Sequence, residues 1–131
     1  MLQNILFALA YFAVASLLVV LTVFVFTMLT KYNDWEEIGK GNLAASMVLG
    51  GKVFGVGNIV RFAIISNETL MQSAIWGCVG LVLLLAVYLC FDWLTPKLNV
   101  NDEIAAGNKA VGFISMFFSI TFSYVIGASI T

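Results

Sequence analysis

From Ile5 to Leu29 the chain carries no charged side chain. At about 1.5 Å per residue such a helix crosses a hydrocarbon layer of about 30 Å with some tilt. Ala13-Val14-Ala15 has the look of a signal-peptide cleavage site. No Lys or Arg precedes it, however, and the apolar run continues past Ser16, so the pattern predicts a retained transmembrane helix. Three further apolar runs follow, Leu43 to Ser66, Thr69 to Phe91 and Ala110 to Thr131. The expected fold is all-α, with four transmembrane helices in one domain over residues 1–131.

The polar stretches between the runs read as helix punctuation. Asn33 followed by Glu36 predicts an N-cap, which puts Asp34, Glu36 and Glu37 in a first turn where the helix dipole favours negative charge. Asn67-Glu68 is a tight turn. Asp92 and Trp93 close the third run at an interface, Pro96 ends it, and Asn99 with Asp102 repeats the cap.

The two halves align without a gap. Lys31 falls on Lys97, Asn33 on Asn99, Glu36 on Asp102, Glu37 on Glu103, Gly41 on Gly107 and Asn42 on Asn108. Each half is then a helical hairpin, repeat one over 1–66 and repeat two over 67–131. A unit that crosses twice keeps its orientation, so the repeats are parallel, related by a pseudo-two-fold along the membrane normal. Lys31, Lys40, Lys97 and Lys109 flank the two longer connections. The positive-inside rule puts these in the cytoplasm and both termini in the periplasm.

Composition agrees with a membrane core: 62% of residues are hydrophobic and 10% charged, against roughly 25% charged in soluble domains. A net charge of -1 with no Lys/Arg cluster argues against nucleic-acid binding. The chain has no His, so common zinc patterns are absent. Cys78 and Cys90 lie about 18 Å apart along one helix, too far to bridge, and read as buried small hydrophobes. No nucleophile with a base and no Walker lysine loop is present, so the expectation is no enzyme, no cofactor and no metal.

The second crossing is unusual. It brings Lys52 roughly 15 Å past Asn42, together with Asn58, Arg61 and Gly50, Gly51, Gly55 and Gly57, with Gly41 just before it. Gly51 and Gly55 make a GxxxG pair, and with Gly107 these glycines are the expected helix-packing positions. A central cation costs at least about 2.5 kcal/mol and turns toward protein or water. Lys52 therefore either pairs for structural reasons or lines a polar pathway. Its repeat equivalent is Phe118, so a Lys52 site occurs once per chain. Arg61 either reaches the headgroups or joins that pathway. Glu37 and Glu103 either stabilise helix starts or face each other across the pseudo-two-fold. Asn42 and Asn108 either bridge helices or line an entrance. Asp92 is an interfacial charge within possible reach of Lys52.

The stretch EIGKGNLAASMVLGGKVFG and its echo DEIAAGNKAVGF resemble the YjfL-like bacterial inner-membrane family, domain of unknown function 350, over the whole chain. The resemblance implies a bacterial inner-membrane protein, brings no established activity, and implies proximity to envelope-stress and membrane-remodelling proteins. Two functions follow as expectations. One is a homo-oligomer in the lipid bilayer whose polar interior passes an ion or small solute. The other is a scaffold or adaptor recruiting a peripheral membrane-stress protein.

Overall fold

The computed structural model describes residues 1–95, 97 and 99–131, and among them every regular element is a helix. The helix stop expected at Pro96 lies outside the described residues. Four helices are long and apolar enough to cross a membrane: α1 (Leu2–Leu29), α3 (Leu43–Ser66), α4 (Leu70–Leu94) and α6 (Lys109–Ser129). The acidic stretches are not the opening turns of these crossings. They form two separate short helices, α2 (Asp34–Gly39) and α5 (Val100–Ala105).

Gly41 and Gly107 make that separation possible. Their φ angles are 87° and 84°, in the left-handed region that glycine enters without steric cost. They are therefore turn glycines, not the packing positions expected from sequence. Each corner closes with the same backbone bonds. Lys40, Gly41 and Asn42 donate to the carbonyls of Glu36, Ile38 and Glu37, and Ala106, Gly107 and Asn108 donate to those of Asp102, Ile104 and Glu103. Asn42 then caps α3 through Oδ1, which accepts from Ala45 N at 3.1 Å, and Asn108 caps α6 by accepting from Ala110 N and Val111 N. Asn33 caps α2 as its spacing predicts, accepting from Glu36 N. Asn99 departs from that pattern. It adopts a left-handed backbone, φ 47°, and its side chain makes no cap.

α3 is the central helix. Along it Ala45, Val48, Lys52, Val56, Ile59 and Ala63 fall on one buried face at helical spacing. Its closest neighbour is α6. A Cβ on Gly51 would stand 2.8 Å from Met116 Cα, and one on Gly112 would stand 2.9 Å from Ala44 Cα, so the backbones touch. Gly55 meets Leu84, Ser119 and Ser123 more loosely. Gly50 and Gly57 have nothing within 4 Å. They point away from the buried face, which corrects the expectation that all these glycines pack. Gly80 against Ile59 and Gly127 against the Phe62 ring are close approaches that spacing did not single out.

Two apolar clusters fill the interior. Ala44, Ala45, Val48, Val100, Ile104 and Val111 form one beside the α2 and α5 corners. Phe26, Val56, Ile59, Val60, Ala63, Leu81, Leu84, Ile126 and Ile130 form the other, toward the far end of α3. Lys52 lies on α3 between them. α1 is the most peripheral crossing, with only Thr22 and Phe26 buried. Cys78 and Cys90 are exposed on α4, not buried, because they fall on the face of α4 that turns away from α3.

Candidate functional site

Lys52 is 1% exposed. Helical periodicity puts it at a core position of α3, and the surrounding crossings supply an aromatic cage. Its ammonium lies 3.8 Å from the Tyr88 ring centroid and 5.3 Å from that of Phe26. The two rings meet edge to face with centroids 5.8 Å apart. A desolvated cation on aromatic faces gains about 2 kcal/mol or more, a substantial part of what burial removes. Among the described residues Lys52 forms no ion pair; the two that exist are Lys40 with Glu36 and with Glu37 at the exposed corner.

Two carboxylates act on this ammonium from a distance, Asp34 and Asp92. Asp34 is itself 2% exposed. Its Oδ2 accepts from the Thr30 hydroxyl, and its Oδ1 is buried with no hydrogen-bond partner. The Tyr32 hydroxyl is likewise buried and unpartnered. Burial first, then the neighbouring Asp34, Tyr88 and Glu37, push the Tyr32 phenol well above its ordinary range, so it stays protonated. Asp92 is half-buried and accepts from Asn101 Nδ2 at 3.3 and 3.4 Å. It also lines an open groove with Lys31, Trp93, Thr95, Asn99 and Asn101. Lys52 is thus enclosed against the Tyr88 and Phe26 rings, and the Asp92 groove is lined by neither Lys52 nor those rings.

The remaining residues singled out from sequence fall elsewhere. Asn58 is buried between α3 and α6 and donates to Ser123 Oγ at 3.1 Å, a packing bond. Arg61 does not join Lys52. It is exposed on the outer side of α3, its guanidinium 5.2 Å from the Phe62 ring, in a groove with Val53, Phe54, Gly57 and Tyr124. Nine residues along a helix carry it off the buried face. Glu37 and Glu103 are each taken up within their own corner, accepting from Asn42 Nδ2 at 3.1 Å and Asn108 Nδ2 at 2.8 Å. Asn42 additionally bridges the halves, donating to Ile104 O at 2.7 Å. Among the described residues no three Asp, Glu or Cys side chains gather as metal ligands.

Sequence reasoning missed Tyr32, Asp34, Tyr88 and Phe26 as parts of the site. None left a distinguishing signal in the sequence: Asp34 is one of three acids in a short run, and only the fold buries it.

Comparison with known proteins places the chain. Residues 1–130 match the family described as Domain of Unknown Function (DUF350), and the chain belongs to it. It is 45% identical to UPF0719 transmembrane protein YshE of Bacillus subtilis (strain 168), over 92% of this chain and 90% of the relative. It is 29% identical to UPF0719 inner membrane protein YjfL of Escherichia coli (strain K12), over 75% and 76%. A UPF0719 transmembrane protein of Aquifex aeolicus (strain VF5) is 26% identical over 85% of this chain, which spans 44% of that longer relative. No solved structure matches. The chain is accordingly an integral membrane protein of a family without an assigned activity.

Proposed function

We propose that this DUF350 chain is a multi-pass, non-enzymatic protein of a bacterial inner membrane that self-associates and uses the Lys52 pocket to admit an ion or small solute. The observation that carries the reading is Lys52 itself: 1% exposed, with no ion pair among the described residues, and held on the Tyr88 and Phe26 rings. A cation in that setting is costly to keep, and intramembrane charges of this kind mark ion and substrate pathways. Asp92, in an open groove, supplies the mouth. The mouth lies beside the corners that carry Lys31 and Lys109, which the positive-inside rule assigns to the cytoplasm, with both termini in the periplasm.

Within one chain the apolar cluster beyond Lys52 blocks a straight path. Passage therefore requires either movement of α1, which buries only Thr22 and Phe26, or a route shared between copies. The Aquifex relative, of which this chain spans 44%, has length for a second such unit, and the corner bonds that recur at Asn42 and Asn108 favour descent from a doubled hairpin. The test is flux in proteoliposomes loaded with a pH- or potassium-sensitive dye. Lys52→Met should change flux while cross-linking still reports the same assembly. Unchanged flux refutes the reading.

The closing cluster favours a second reading, a scaffold for an envelope-stress or membrane-remodelling partner. Gly51 and Gly55 are occupied by α6 of the same chain, so a partner would meet the α2 corner instead, where Trp35 is 64% exposed beside Glu36. On this reading Trp35→Ala abolishes co-purification of the partner and Lys52→Met does not.

A further inference from the structure

We propose that the groove around Arg61 on α3 binds an anionic phospholipid of the bilayer, whose phosphate the guanidinium holds. The inference does not depend on Lys52 carrying flux. The groove measures about 500 Å³ and is lined by Val53, Phe54, Gly57, Asn58 and Arg61 of α3 and by Tyr124 of α6. Val53, Gly57 and Arg61 stand four residues apart, so they form one stripe along the helix. Gly57 has open space where a Cβ would stand, which keeps the floor of that stripe low. Val53, Phe54 and Tyr124 are exposed, so the deeper part is an apolar surface left to the lipid. Arg61 is exposed too, its guanidinium 5.2 Å from the Phe62 ring, and among the described residues it forms no ion pair.

Polarity along the stripe runs in the order of a phospholipid standing in the membrane. Arg61 lies five residues before the end of α3 at Ser66, roughly 7.5 Å below it and within snorkelling reach of the headgroups. Val53 lies about 12 Å deeper, at the level of the acyl chains. Charge selects the occupant. A guanidinium takes a phosphate through two parallel N–H···O bonds. None of the lining residues is a carboxylate, so the ammonium of a zwitterionic headgroup finds no partner and a net-anionic one is favoured. A helix from a second copy fits less well. The fold carries one carboxylate side chain to this end of the bundle, Glu68, and it stands in the turn beyond α3. The other acids lie at the opposite end, in or beside α2 and α5.

Native mass spectrometry of the whole chain in detergent micelles, titrated with phosphatidylglycerol or phosphatidylcholine, tests this. The wild type should retain phosphatidylglycerol in preference. Arg61→Met should weaken that binding about tenfold, the factor that a charge-assisted hydrogen bond supplies, and Arg61→Lys should fall between the two. Gly57→Leu, which fills the groove floor and leaves the charge in place, should weaken it several-fold. Lys40→Met, at the opposite end, should bind as the wild type does. Equal binding of the two lipids by the wild type overturns the proposal, as does phosphatidylglycerol binding indifferent to Arg61→Met. Displacement of the lipid by inorganic phosphate alone would show that the apolar stripe is unused, and also overturns it. If Arg61→Met and Gly57→Leu instead separate copies of the chain with lipid binding unchanged, the groove is a contact between copies and the lipid site falls.

Discussion

Adjacent glycines on α3 should respond oppositely to the same methyl group. At Gly51 an added Cβ stands 2.8 Å from Met116 Cα and 3.0 Å from its carbonyl oxygen. Carbon atoms rest about 3.5–4.0 Å apart, so α3 and α6 must separate by roughly 1 Å. The Met116 Cα and carbonyl oxygen are backbone, which cannot swing aside. Overpacking of this kind costs about 1–3 kcal/mol. Separation also stretches the Asn58 to Ser123 bond, now 3.1 Å, a type worth about 0.6 kcal/mol in membrane helices. Against this stands the helical preference for Ala over Gly, about 1 kcal/mol. The net expectation for Gly51→Ala is a loss of about 1–2 kcal/mol. Gly50 has nothing within 4 Å, so Gly50→Ala keeps only the gain, up to about 1 kcal/mol. Reversible unfolding in mixed detergent micelles, followed by circular dichroism, reads the difference. Equal stabilities for the two variants would refute the backbone contact between α3 and α6.

Three other perturbations follow from the site and its corners. Asn42→Ala removes a cap, the bond to Glu37 and the bond to Ile104 O, which then keeps only Gly107 N, whereas Asn108→Ala removes a cap and the bond to Glu103; the first, with one more bond lost, should cost about 1 kcal/mol more in the same unfolding assay. Lys52→Met and Asp34→Asn should be non-additive, with the double variant less destabilised than the sum by about 0.5–3 kcal/mol; additive losses would mean that the two charges do not share a site. For Tyr32, the folded protein keeps a phenol proton that the unfolded chain releases near pH 10.0. Its contribution to stability is then fully present below that pH and falls as pH rises above it, so Tyr32→Phe should flatten the alkaline part of the stability profile.

The four crossings were legible because, in lipid, a long charge-free run has few alternatives: Leu43 to Ser66 is the observed α3 end to end. Lys52 was legible as an anomaly, a charge where periodicity asks for an apolar residue. Its cage was not. Phe26 and Tyr88 are ordinary members of apolar runs, and only the crossing geometry of α1, α3 and α4 turns their faces to one ammonium. Asp34 was hidden for a different reason. Asp34, Glu36 and Glu37 look alike as a dipole-compensating first turn, and the distinction arises when Thr30, at the end of α1, donates to Asp34. For the glycines, the number per crossing says little and the angle matters. Gly51 and Gly55 flank Lys52 on the buried arc, while Gly50 and Gly57 fall outside it.

Near-identity of the two corners makes the difference between the halves informative. The same turn bonds and the same Glu to Asn pairing recur in both corners. Asn42 nonetheless donates to Ile104 O across the halves, and among the described residues Asn108 makes no matching bond. The residue aligned with Lys52 is Phe118, which packs on the Phe91 and Phe122 rings. Phe118 is 39% exposed, so the aligned position is a partly open apolar wall and no counterpart of the enclosed Lys52 site. The bundle is thus symmetric where the backbone must turn and asymmetric where charge must be housed. The interior is built around a single Lys52, 1% exposed, which the aligned position does not repeat.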